Sequence, residues 1–144
     1  MVTIETPRSP RNRKSANREK LAWLFMRGSG AVLIVLIFGH LFINLFSGDG
    51  IKAIDFAFVA GKWANPLWQI WDTLMLWLAL IHGTNGMRTL VNDYTEREGI
   101  RKTLNASLWT ICILLIVLGT LVTTTFDPCV DPSVASTLDV CIAK

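Results

Sequence analysis

Three apolar runs dominate the chain, spanning about residues 21–46, 67–91 and 104–126, with the densest stretch at Ala31–Phe46. A helix needs roughly 20 residues to cross a bilayer, and each run meets that length. Period-2 alternation is absent and the runs are too long for barrel strands, so the pattern predicts helices. The expected fold is all-α: an integral membrane anchor of three spans over residues 21–126, with a polar tail at 1–20 and a second tail at 127–144.

Between the first two runs the pattern changes. Ser47-Gly48-Asp49-Gly50 marks a turn that ends the first helix. Ile51–Ala60 then places apolar residues at helical spacing, which predicts a short interfacial helix closed by Gly61. Asn65-Pro66 opens the second span. Trp63, Trp68 and Trp71 gather at that boundary, as an aromatic belt would.

Composition and charge give these elements a setting. The chain is 51% hydrophobic with mean hydropathy +0.43, which fits a small membrane protein better than a soluble enzyme. A pI near 9.0 raises nucleic-acid binding, but the basic residues cluster beside the apolar runs, so orientation in a membrane explains them instead. Arg8, Arg11, Arg13, Lys14, Arg18, Lys20 and Arg27 precede or open the first span, and Arg88, Arg97, Arg101 and Lys102 surround the link between the second and third. Only Lys52, Lys62 and Lys144 lie on the other side. The positive-inside rule therefore predicts a cytoplasmic N-terminus and an outside C-terminus. No secretory signal is expected. Residues 1–18 read as a disordered basic tail with affinity for anionic lipid, or as a lid over a soluble partner.

Cys129 and Cys141 both fall in the outer tail, where a disulfide is expected. Cys112 sits mid-span and reads as packing. No cysteine-rich ligand set occurs, so this chain holds no iron–sulfur cluster alone.

The two histidines, His40 and His82, both lie inside spans. An imidazole in lipid must find a partner, and ionisable residues there mark functional sites by default. From the helix rise the two differ in depth by about 10–15 Å, so they cannot easily serve one iron. Two haems stacked across the membrane, each also ligated by a partner chain, is the simpler arrangement. Gly39, Gly83 and Gly86 flank the histidines. They allow either a porphyrin plane or another helix to come close. Arg27 and Arg88 lie where spans meet the cytoplasmic edge, placed either to pair with haem propionates or a quinone oxygen, or to snorkel to lipid phosphate. Asp93 is eleven residues beyond His82, about 16 Å along the same helix face, with Tyr94 beside it. Asp72, near the outer end of the second span, is open between an interfacial carboxylate and a proton-uptake group.

His82-Gly83, Arg88 and Asp93-Tyr94 at the end of the second of three spans, with Arg27-Gly28-Ser29-Gly30 opening the first, resemble the smaller hydrophobic membrane-anchor subunit of succinate dehydrogenase, complex II. The segments Ile54–Phe58 and Trp63–Pro66 are similar to bacterial, notably actinobacterial, members. The resemblance implies a bacterial plasma-membrane protein paired with a second haem-anchor subunit in a six-helix bundle. An iron–sulfur subunit and a flavoprotein dock on its cytoplasmic face. It implies that His82 is an axial ligand of haem b, that Tyr94 hydrogen-bonds quinone and that Asp93 lies in the proton path. His40 resembles the two-haem branch, whose members commonly reduce menaquinone; ubiquinone is the other candidate. In that branch quinone reacts near the outer face, which leaves the role of Tyr94 open. The chain is not expected to be catalytic alone. The competing readings are the anchor of a fumarate reductase or another b-type cytochrome complex, a haem-free structural anchor, and a small transporter. A transporter would be expected to show paired acidic residues mid-span or an inverted repeat, and the sequence shows neither.

Overall fold

The computed structural model describes residues 13–46, 50–127, 129–136 and 139–142. The helices are α1 (Arg13–Phe46), α2 (Phe56–Trp63), α3 (Pro66–Tyr94), α4 (Glu98–Thr125), α5 (Pro132–Ala135) and α6 (Asp139–Ile142), with a 3-10 turn at Gly50–Ala53 before α2.

Local chemistry sets most of these boundaries. Asn65 caps α3 by accepting from the Leu67 amide at 2.9 Å, and Pro66 follows in the first turn, where its missing N–H costs nothing. The interfacial helix expected over 51–60 is instead split. Asp55 accepts from the Phe58 amide at 2.8 Å and starts a fresh helix, so the 3-10 turn lies before it and Gly61 lies inside α2. α1 begins at Arg13, so residues 13–20 of the expected tail are helical. The rest of that tail, and the turn residues 47–49, lie outside the described residues. α4 begins at Glu98, six residues before Leu104, with a polar opening turn that includes a Glu98–Lys102 pair at 2.7 Å.

α3 is the middle element, with α1 on one side and α4 on the other, both antiparallel to it. The α1 seam runs from Ser29 against His82 to His40 against Asp72. The α4 seam runs from Thr123 against Thr73, through Thr120 against Trp77, to Asn105 against Asn92. Small and polar side chains join helices in this way where apolar attraction between them is weak. Two glycines permit the closest approaches. A Cβ at Gly39 would stand 2.8 Å from the Trp71 ring, and one at Gly119 would collide with Leu76.

Among the described residues the interior is thin: Leu33, Ala60 and Cys112 are the buried hydrophobic residues, and Leu, Ile, Val and Phe side chains face outward along α1 and α4. Two helical stretches, Lys20–Phe46 and Glu98–Thr125, are long and apolar enough to cross a membrane. α3, at 29 residues about 43 Å long, has the length but a more polar sequence.

Candidate functional site

α1 and α3 bring each histidine against a polar partner. At the middle of α1, Ser29 Oγ lies 2.8 Å from His82 Nδ1. The Ser29 hydroxyl donates its proton to the Phe25 carbonyl at 2.5 Å, the usual back-bond of a helical serine. A hydroxyl has one proton to give, so the His82 Nδ1–H donates to Ser29. The second ring nitrogen, Nε2, makes no hydrogen bond among the described residues.

At the other end of the same seam, His40 Nδ1 lies 3.0 Å from Asp72 Oδ1. The other carboxylate oxygen accepts from Trp63 Nε1 at 2.9 Å and stands 3.4 Å from Lys62 Nζ. Lys62 also donates to Asn44 Oδ1 at 3.2 Å. A carboxylate has only acceptor oxygens, so Asp72 Oδ1 accepts from the His40 Nδ1–H, and His40 Nε2 makes no hydrogen bond among the described residues. Asp72 is thus the hub of a network joining α1, α2 and α3. Trp63 belongs to this network and packs edge-on against Phe126 at 5.2 Å, so it pins α2 down as well as standing in the aromatic zone.

Asp72 and His82 are ten residues apart on α3, which sets the two imidazoles about 15 Å apart along the helix axis. A groove of about 740 Å³ lies over α3 between α1 and α4. His40 and Asp72 sit in its wall, with Met75, Leu76, Leu115 and Leu118 among its apolar lining. His82 does not line it.

The flanking glycines divide. Gly39 packs on Trp71 and Gly86 faces Met26, so both serve the α1–α3 contact. At Gly83 a Cβ would meet nothing within 4 Å, leaving open space beside His82.

The arginines are not brought to either histidine. Arg27 is exposed, its guanidinium 4.3 Å from the Trp23 ring, on the far side of α1 from Ser29. Arg88 turns toward α4, 5.7 Å from the Trp109 ring and 3.4 Å from Asn85 Oδ1, and its Nε is buried without a hydrogen-bond partner among the described residues. Asp93 and Tyr94 end α3 and face outward; Tyr94 is 84% exposed. Among the described residues no group of three His, Cys, Asp or Glu side chains converges.

Ser29, Trp63 and Lys62, read from the sequence as part of an opening motif, an aromatic belt and a charge bias, are participants at these histidines, as is Asn44, which the sequence does not single out. For Ser29 a signal is present, a small polar residue beside Arg27 at the start of an apolar run. Its pairing depends on the α1–α3 register, which one sequence does not display.

Cys129 and Cys141 are joined in a disulfide, with Cα atoms 5.6 Å apart, and Cys112 is free and buried. No curated protein matches the chain. The family model described as succinate dehydrogenase/fumarate reductase transmembrane subunit matches residues 3–118, about four fifths of the sequence. The chain belongs to this family and is a membrane subunit of such a complex.

Proposed function

We propose that this chain is the smaller anchor subunit of a succinate:quinone oxidoreductase of the two-haem branch, with His82 and His40 each giving Nε2 to one haem b. The observation that carries the reading is the shared state of the two imidazoles. Each has Nδ1 committed as a donor and Nε2 unengaged, as in metal-ligating histidines held by an outer hydrogen bond. The residues fit such a group: imidazole nitrogens without a hydrogen bond among the described residues, open space at Gly83 beside His82, and an apolar groove beside His40.

The haems would supply one-electron transfer between the soluble subunits and quinone. The chain's own residues do the rest. Ser29 and Asp72 hold the imidazoles, while α1 and α4 present apolar surface to lipid and to a second anchor subunit. Such a partner would supply the remaining axial ligands. Asp93 and Tyr94, facing outward at the end of α3, would reach quinone only with partner residues completing the site. An iron–sulfur subunit and a flavoprotein would dock at that end, cytoplasmic by the lysine and arginine distribution. α3 is the third crossing in this reading, since it is flanked antiparallel along its length by the two helices that qualify.

The test is haem content of the purified complex by pyridine haemochrome, normalised to this subunit. Two haems per copy are expected, with one lost in His82→Ala and the other in His40→Ala. One haem lost only in His82→Ala would leave His40 in packing. No haem would reduce the chain to a structural anchor. Fumarate reduction fits the family equally well, and the ratio of forward to reverse activity distinguishes it.

A further inference from the structure

The geometry points to Ser29 as the positioning residue that sets the tautomer of His82 and aims its Nε2; we infer this from the three-member chain of hydrogen bonds between α1 and α3. The inference rests on His82 being a haem ligand.

The chain of bonds runs in one direction. The Phe25 carbonyl accepts the only hydroxyl proton of Ser29, so the Ser29 oxygen is left as an acceptor. The His82 Nδ1–H fills that acceptor at 2.8 Å. Reversal would require the serine proton to leave the carbonyl, and the other carbonyl in reach, Met26, is at 3.4 Å. The helix backbone therefore dictates, through one hydroxyl, which nitrogen of His82 carries the proton. Ser29 is 6% exposed, so water does not readily replace it. The ring is also bounded in place, because a Cβ at Gly30 would stand 3.5 Å from Cε1. With Nδ1 tethered, Nε2 points away from Ser29 and makes no hydrogen bond among the described residues. A tethered Nδ1–H also makes the imidazole a stronger electron donor through Nε2, and loss of such an outer partner commonly weakens metal binding about 10–100-fold.

Ser29→Ala removes the acceptor and keeps the helix. In the purified intact complex the expected result is about 10–100-fold weaker haem retention under detergent challenge. The haem that remains should show a raised midpoint potential and an altered low-spin ferric g-maximum. Ser29→Thr keeps a hydroxyl and should restore all three; Ser29→Val, of the same shape without the hydroxyl, should not. Pulsed electron paramagnetic resonance of the wild-type complex gives a measurement that needs no Ser29 variant to assemble. The remote ring nitrogen of His82, labelled with ¹⁵N and compared with the unlabelled complex, should show the coupling of a hydrogen-bonded N–H. A potential and g-maximum unchanged in Ser29→Ala, or a remote nitrogen without a hydrogen bond, overturns the inference while leaving His82 as ligand. Wild-type haem content and spectrum in His82→Ala would instead overturn the ligand assignment on which it stands.

Discussion

His40 and Asp72 meet across the α1–α3 seam at 3.0 Å, and the same carboxylate faces Lys62 at 3.4 Å. Side chains of Lys62 and Asp72 are 9% and 10% exposed, so the pair is withdrawn from solvent. Removing one member of a buried pair strands the other charge, at a cost of about 3–5 kcal/mol. Asp72→Ala is therefore expected to lower the melting temperature of the solubilised protein strongly, whereas Asp72→Leu combined with Lys62→Met should recover the ion-pair part alone, because Trp63 Nε1–H and the His40 ring lose their acceptor in both. Equal losses in the single and double variants would show that the ion pair is not the source.

Glycine positions give a contrast that separates packing from cofactor space. Gly119→Ala brings a methyl against the end of the Leu76 side chain, which must swing aside, and is expected to cost about 1 kcal/mol, relieved when Leu76 is shortened to Ala. At Gly83 an added Cβ meets nothing within 4 Å in this chain, so Gly83→Ala should leave its own folding unchanged. In the assembled complex, however, Gly83→Ala is expected to lower haem content. Thermal melting of the subunit beside haem quantitation of the complex reads both outcomes.

The three cysteines should behave as one thiol and one disulfide. Maleimide is expected to leave Cys112 unlabelled in the native protein, because that side chain is 2% exposed. Denaturation without reductant should yield one labelled thiol per chain, and denaturation with reductant three. Mass spectrometry of the labelled chain counts them, and two or more thiols before reduction would contradict the pairing.

Tyr94 is 84% exposed, and its hydroxyl makes no hydrogen bond among the described residues. Tyr94→Phe should change stability by no more than about 0.5 kcal/mol, as surface substitutions usually do. If its phenol meets quinone at the end of α3, the variant should raise the KM for quinone with haem content intact. An unchanged KM would place quinone elsewhere, and steady-state assays over a quinone series decide it.

The long elements are legible in the sequence because their signals are local. Apolar runs mark α1 and α4, and Asn65-Pro66 marks the start of α3. The split before α2 is not legible, because Asp55 looks like one polar position in a periodic run, whereas its carboxylate caps a new helix. At the site, His40, His82 and Asp72 stand out as ionisable groups in apolar surroundings. Ser29, Trp63, Lys62 and Asn44 do not, since each has an ordinary local explanation and gains its role from helices meeting in register. The same holds for Arg88. Its place at a membrane edge is visible, but its turn toward Trp109 follows from the α3–α4 packing.

The polar ladder between α3 and α4 bears on how the chain is made. Thr73, Trp77 and Asn92 find their partners on α4, on residues that emerge from the ribosome only after α3 is complete. An unpaired polar group in hydrocarbon is costly. With α3 as the third crossing proposed above, α3 on its own is therefore a poor candidate for release into lipid during synthesis. It and α4 are better suited to leave the insertion machinery together, as a hairpin. A chain cut in the link at 95–97 should then stall with its second helix still in that machinery's care.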